Sequence, residues 1–309
     1  MTPTILLTGK NGQVGEELLR VLPRLGIVTA LGRQDLDLSR SEDIRQIIRD
    51  VRPNLIVNAA AYTAVDQAEE DESAARAINA HAPAVLAEEA KRIGATLVHY
   101  STDYIFDGSK KSPYEENDAT NPLNVYGRTK LEGEQAIRNA GVPHLIFRTS
   151  WVYATHGKNF LLTILRLATQ REELRIVKDQ TGAPTSGREI ATATTKILTQ
   201  LLQENSGSSF QGRTGTYHMT ASGETTWYDF AGAVLKESSD TPQTTSWFAV
   251  ATNGRPLITR RVVPITTEEF PTPARRPLYS VLSNSLLTRT FGVALPNWRQ
   301  QMNATFASV

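Results

Sequence analysis

"TILLTGKNGQVGEELL", residues 4 to 19, decides the fold of this chain. TILL is a short apolar run that reads as a buried strand, and GEELLRVL places its apolar residues at helical spacing. Glycines stand between them at 9, 12 and 15. In a strand-turn-helix unit the first glycine permits the tight turn, the second lets a diphosphate approach the backbone, and the third lets helix and strand pack closely. Free amides at the helix start, reinforced by the helix dipole, favour negative charge there. Gly9, Gly12 and Gly15 are therefore a candidate phosphate cradle. Their spacing is GxxGxxG, not GxGxxG, so the position after the first strand and before the first helix carries the reading.

Working outward, short apolar runs at 27–32 (IVTALG), 55–60 (LIVNAA), 96–106 (TLVHYSTDYIF) and 144–153 (HLIFRTSWVY) alternate with helical patterns at 41–53, 72–94 and about 124–139. Short strands separated by longer helices predict a parallel sheet covered on both faces, a doubly wound, Rossmann-like α/β domain. Right-handed crossovers then set the ligand crevice at the carboxyl ends of the strands. The second strand ends ALGRQDLDLS, where an acidic residue would bond the ribose hydroxyl of NAD and an arginine would suit the 2′-phosphate of NADP. Arg33 is the nearest charge and favours NADPH, while Asp35 and Asp37 keep NADH open. The third strand ends NAAAY, and the small side chains of Ala59, Ala60 and Ala61 leave room for an adenine ribose and phosphates.

After residue 151 the rhythm loosens. A helix at 159–170, a strand LRIVKD, a turn QTGAPTS and a helix at 187–203 precede a serine- and glycine-rich stretch at 204–215 that reads as a surface loop. A strand TYHMTAS, a helix TWYDFAGAVLKE and a proline-rich stretch ending FPTPARRP at 270–277 follow. The expected division assigns 1–150 plus about 186–222 to a dinucleotide-binding domain, and 151–185 plus about 223–309 to a smaller α/β substrate domain.

The bulk numbers narrow the function. A chain of 309 residues with 40% hydrophobic content fills a substantial core. Thirty-three basic residues against thirty-two acidic ones give a net charge of +1, too little to draw the chain to nucleic acid or a membrane surface. The absence of cysteine excludes disulfides, thiolate metal sites and a cysteine nucleophile. The apolar run near the N-terminus is too short for a signal peptide or a membrane span, so a cytoplasmic protein is expected.

"NPLNVYGRTKLEGEQ", residues 121 to 135, sets Tyr126 and Lys130 four residues apart on one helix face. A free phenol is a poor proton donor at neutral pH, and an adjacent ammonium would draw its pKa down. YSTDYIFDG ends the preceding strand at the crevice, so a hydroxyl of Ser101 or Thr102, beside Asp103, can hold a carbonyl oxygen next to the phenol.

The ordered strings TGKNGQVGEEL, DLDLS, NAAAYTAVDQAE, HYSTDYIFDG, PLNVYGRTKLEGE, FRTSWVYA, NF and DQTGAPT run from residue 4 to 185. This set resembles the dTDP-4-dehydrorhamnose reductases of the extended short-chain dehydrogenase/reductase superfamily. The resemblance implies reduction of the C4 ketone of dTDP-4-dehydro-L-rhamnose by NADPH or NADH. It implies Tyr126 as proton donor, Lys130 as holder of the nicotinamide ribose, Thr102 with Asp103 as the pair that polarises the ketone, and Trp151 as a wall for the sugar. Gly12, Gln13, Val14, Asp37, Leu38, Ala61, Tyr62, Thr63 and Tyr100 match family positions around the dinucleotide. Arg275 or Arg276 is expected to meet the substrate diphosphate. Some family members hold Mg²⁺ through glutamates at a subunit contact; Glu17 matches one such position, but Arg188 stands where another glutamate belongs, so no metal is expected. Monomer and homodimer both remain open. A 4,6-dehydratase would carry Thr-Asp-Glu where this chain has Thr102, Asp103 and Tyr104. An epimerase with tightly held NAD and a non-catalytic regulatory subunit of the same fold are the alternatives.

Overall fold

The computed structural model describes residues 2–204, 210–239 and 246–307; residues 205–209 of the expected surface loop lie outside the described residues. The first half alternates as the sequence predicts: β1 (Thr4–Thr8), α1 (Gln13–Val21), β2 (Ile27–Leu31), α2 (Ser41–Val51), β3 (Leu55–Asn58), α3 (Val65–Glu70), α4 (Glu72–Arg76), α5 (Ala82–Ile93), β4 (Thr96–Thr102), α6 (Val125–Ala140) and β5 (His144–Thr149). The second half adds β6 (Val152–Tyr153), α7 (Phe160–Ala168), β7 (Glu173–Val177), β8 (Thr181–Gly182), β9 (Thr185–Ser186), α8 (Gly187–Gln203), β10 (Gly215–His218) and β11 (Thr225–Thr226). It ends with α9 (Trp227–Ser239), α10 (Ser246–Thr252), β12 (Arg261–Ile265), α11 (Ser285–Phe291) and α12 (Trp298–Ala307).

Six parallel strands form the main sheet in the order β10-β5-β4-β3-β1-β2. Connections run one way from β1 to β2 and the other way from β3 onward, so a topological switch point opens between β1 and β3 at their carboxyl ends. Gly9 and Ala59 follow those two ends directly. The inner strands β3, β4 and β5 are buried along their whole length because both faces are covered; in β3, Leu55, Ile56 and Val57 are all buried. One core holds Leu18, Ile190, Leu198 and Phe147 between the sheet and α1 and α8; the other holds Ile44, Leu86 and Ile137 between the sheet and α2, α5 and α6. Each fully buried aliphatic side chain in them contributes about 1.5–3 kcal/mol.

A separate core of Leu161, Leu165, Phe230, Val234, Phe248 and Met302 gathers α7, α9, α10 and α12. Residues 285–295, placed with the smaller part by the sequence, behave differently: Leu287, Phe291, Val293 and Leu295 pack into the core of the main sheet. Two of the expected strands are shorter than their apolar runs. HLIFRTSWVY breaks at Trp151, whose φ is +47°, and TLVHYSTDYIF turns at Asp103 into a short 3-10 helix. The Thr102 side chain caps that turn by accepting from the Tyr104 N–H.

Candidate active site

The start of α6 is fixed from three sides. Asn124 Oδ1 accepts from the Gly127 N–H at 2.8 Å, and Asn124 Nδ2 donates to the Arg275 carbonyl at 2.8 Å. Glu69 of α3 accepts from the Val125 N–H at 2.7 Å. The Val125 and Gly127 amides of the first turn are thereby satisfied, and Tyr126 between them stands at a defined height above the sheet. Gly127 permits the approach, since a Cβ there would lie 2.1 Å from the Tyr104 carbonyl oxygen. Tyr126 consequently meets Tyr104 edge to face, with ring centroids 5.8 Å apart.

The hydroxyl of Thr102 lies beside that of Tyr126 and opposes the rise of its pKa. Thr102 Oγ1 also donates to Asp103 Oδ1 at 3.1 Å, and Asp103 Oδ2 accepts from Ser150 Oγ at 2.9 Å. Asp103 is only 2% exposed; burial pushes its carboxyl up to about 6, against the hydrogen bonds from Ser280, Ser150 and Thr102. The structure thus brings together Thr102, Asp103 and Tyr126.

Lys130 departs from the expectation. Its Nζ donates to the Tyr100 carbonyl at 2.6 Å and lies 3.1 Å from His99 Nε2, so it faces β4 and not the phenol. Burial pushes the Tyr126 hydroxyl up to about 12, with Asp103 adding to the rise and Thr102 opposing it. The expected lowering of this phenol by the ammonium is therefore corrected: the amine turns to a buried carbonyl, and burial brings Lys130 itself down to about 8.

The phosphate loop has the geometry its glycines require. Gly9 has φ +77°, and a Cβ there would lie 2.6 Å from the Ala60 nitrogen; at Gly15 it would lie 1.9 Å from the Gly9 carbonyl oxygen. At Gly12 the nearest atom to a Cβ would be 3.3 Å away, and no side chain caps the helix there. The first-turn amides at Gln13 and Val14 are left for an anionic ligand, which fits a dinucleotide diphosphate. The Gln13 side chain looks the other way, accepting from Asn159 Nδ2 at 2.8 Å and donating to the Val152 carbonyl at 3.4 Å.

At the end of β2, Arg33 is exposed and Leu38 is buried. Asp35 accepts from the Gly32 N–H and pairs with Lys10, both at 2.8 Å, while Asp37 accepts from Ser39 N–H and Oγ at 2.9 and 2.8 Å. Both carboxylates have local partners. Beyond β3, Ala59, Ala60, Ala61 and Tyr62 are partly exposed and Thr63 is exposed; Asn79 Oδ1 pins the loop by accepting from the Tyr62 N–H at 2.9 Å. Tyr100 contributes less to this region than its place in the motif implies. Its phenol is buried against Thr194 of α8 at 2.8 Å, and only its carbonyl faces Lys130.

Trp151 stacks flat on Trp227 of α9, centroids 3.4 Å apart, with Gly182 directly beneath. Arg276 is held by Asp66 through two hydrogen bonds of 2.9 and 2.7 Å, which leaves Arg275 as the exposed member of the pair. Glu17 pairs with Arg20 at 3.0 Å, Arg188 is exposed, and no three metal-ligating side chains converge among the described residues. Asn58, His99, Asn79, Asp66, Asn159 and Trp227 were not singled out by sequence. A signal existed for two of them: Asn58 ends the apolar run LIV, and His99 follows the apolar pair Leu97 and Val98 inside β4.

Residues 3–309 match the family described as the RmlD substrate binding domain. A dTDP-4-dehydrorhamnose reductase from Burkholderia thailandensis is 51% identical over 295 residues, covering 96% of this chain and 95% of that one. This chain belongs to the dTDP-4-dehydrorhamnose reductase family. The reductase of the same name from Escherichia coli K12 is 44% identical over 299 residues, 96% of this chain and 94% of its own length. Among solved structures, the Bacillus anthracis dTDP-4-dehydrorhamnose reductase in complex with NADP superposes with a TM-score of 0.87 at 31% identity, covering 100% of both chains. A Thermus thermophilus UDP-glucose 4-epimerase in complex with NAD gives a TM-score of 0.73 at 18% identity over 99% of this chain and 100% of its own, a likeness of fold alone. No helix of this family member is long and apolar enough to cross a membrane, among the described residues.

Proposed function

We propose that this protein reduces the C4 ketone of dTDP-4-dehydro-L-rhamnose to dTDP-L-rhamnose with NADPH, NADH being the weaker donor, in the cytoplasm. The observation that supports it is the Thr102 and Tyr126 hydroxyl pair over a buried Asp103, at the carboxyl edge of the sheet beside a glycine loop with open amides. When bound, the nicotinamide supplies a hydride to C4. Tyr126 gives the proton to the C4 oxygen. At about 12 its phenol is fully protonated at neutral pH, so the group is loaded as an acid and donates as the oxygen becomes an alkoxide. Thr102, whose one hydroxyl proton is given to Asp103 before substrate arrives, turns it to the same oxygen as a second hydrogen bond.

The amides at Gln13 and Val14 hold the diphosphate of the dinucleotide, with Gly9, Gly12 and Gly15 giving the backbone its shape. Arg33 meets the 2′-phosphate; Asp37, Leu38 and the segment from Ala59 to Thr63 line the adenosine side. Tyr100 acts through its carbonyl, which orients Lys130, and Lys130 holds the nicotinamide ribose. Trp151 walls the sugar from the side of the smaller domain, and Arg275 meets the substrate diphosphate. No metal takes part. Mixing purified protein, NADPH and dTDP-4-dehydro-L-rhamnose and following the nicotinamide absorbance tests this: steady oxidation with release of NADP⁺ is expected. No oxidation, or oxidation that stops after one equivalent of tightly held cofactor, would contradict it in favour of a regulatory or an epimerising protein.

A further inference from the structure

A buried polar line runs from the end of β1 to the middle of α6. Its members are Thr8, Asn58, His99 and Lys130, each no more than 1% exposed. Thr8 Oγ1 donates to Asn58 Oδ1 at 2.7 Å, and the Ala60 N–H donates to the same oxygen at 3.2 Å. A backbone amide is only ever a donor, so the atom facing it is the amide oxygen of Asn58. Asn58 Nδ2 is then the atom turned to His99 Nδ1, at 3.0 Å.

Direction propagates along the line. Nδ2 donates, so His99 Nδ1 must carry a lone pair, and a neutral imidazole then has its proton on Nε2. Nε2 lies 3.1 Å from Lys130 Nζ. Two donors facing each other repel, so either the ring or the amine must yield. The ring has no second proton to lose at ordinary pH, whereas the amine can be neutral.

We propose that Asn58 and His99 are positioning residues that hold Lys130 as a neutral amine in this arrangement, its lone pair accepting from His99 Nε2–H while one of its own N–H bonds donates to the Tyr100 carbonyl. Burial lowers both His99 and Lys130. At about 8 burial alone still leaves the amine mostly protonated at pH 7, and the Nε2–H donor facing it supplies the rest of the shift. The carboxylate facing Lys130 is Glu134, one turn further along α6. It is held by Arg148 of β5 at 3.0 and 2.8 Å and by Arg138 at 3.0 Å. Asp103, Asp66 and Arg276, from the segments beyond β4, from α3 and from the chain before α11, act instead on Tyr104, and Asp103 also on Tyr126. A neutral amine gives no charge to a phenolate, so the line delays full support of Tyr126 until a proton reaches Lys130. That consequence rests on the proposed roles of Tyr126 and Lys130; the state of the line itself does not.

Nitrogen NMR of the full chain labelled at histidine, with neither cofactor nor substrate added, reads the tautomer directly. The His99 signals are assigned by their loss in His99→Gln or, if that chain does not fold, by elimination through replacement of His81, His144, His156 and His218. A neutral His99 protonated at Nε2 is expected at neutral pH. A ring protonated at Nδ1, or at both nitrogens, overturns the proposal. Asn58→Asp exchanges the donor for an acceptor and is expected to move the ring proton from Nε2 to Nδ1; a proton that stays on Nε2 in that variant overturns the role given to Asn58. If Asn58→Asp fails to fold, the spectrum of the unaltered chain still decides. A failed reductase assay leaves this result standing, so the two readings fall separately.

Discussion

Asp103 is buried and Tyr126 half-buried beside it, and loss of water around the charged form of each acid raises both pKa values. For Asp103 the folded protein holds the proton up to about 6, against an ordinary value of 3.8. The folded state therefore binds a proton that the unfolded chain releases, and the stability this provides is complete below about pH 4 and lost as pH rises through 6. Asp103→Asn should melt higher than the unaltered protein above pH 6, by up to about 3 kcal/mol, and the gain should vanish near pH 4. Thermal unfolding at the two pH values checks it. The phenol and the threonine were legible in the sequence because YxxxK and the end of an apolar strand both point to the crevice. The direction of Lys130 was not: spacing along a helix puts two residues on one face, but a long side chain goes to its best acceptor, and the Tyr100 carbonyl and His99 come from a strand 30 residues away.

At the scale of elements, the glycine loop is the feature the sequence conveyed most fully. Gly15 has no space for a side chain because a Cβ would meet the Gly9 carbonyl at 1.9 Å. Gly15→Ala should displace the loop, cost about 1–3 kcal/mol and weaken NADPH binding at least about tenfold, as read by calorimetry. Gly232→Ala is the control: nothing lies within 4 Å of a Cβ there, and the helical site should gain a few tenths of a kcal/mol, up to about 1 kcal/mol. The ends of β4 and β5 were less legible. Apolar composition continues past Thr102 and Ser150, but a side-chain cap at Thr102 and a left-handed residue at Trp151 turn the chain, and neither alters the hydrophobic pattern. The start of α6 shows the same limit, since the cap from Asn124 is local while the help from Glu69 and the tie to Arg275 join distant segments.

Across the whole molecule, alternation of strands and helices gave the sheet, and TYHMTAS gave its last strand; the packing of α11 on that sheet depends on contacts that no local pattern carries. Beside the apolar packing of α11 and Leu282, polar and aromatic contacts tie the later segments to the sheet, among them Gln13 with Asn159, Trp151 with Trp227, and Asp66 with Arg276. Asp66→Ala should cost only about 1 kcal/mol in stability, because the pair is partly exposed. It should raise KM for the nucleotide sugar while leaving NADPH affinity within about twofold, since the segment it releases lies against α6 and not against the glycine loop. Steady-state kinetics and calorimetry on one preparation separate these. The most direct test of the account is the turnover of Tyr126→Phe at saturating NADPH, with NADPH affinity measured in parallel. Loss of about 10² to 10⁴-fold in kcat with unchanged cofactor binding is the predicted result; a folded variant that turns over within a few-fold of the unaltered protein would contradict it.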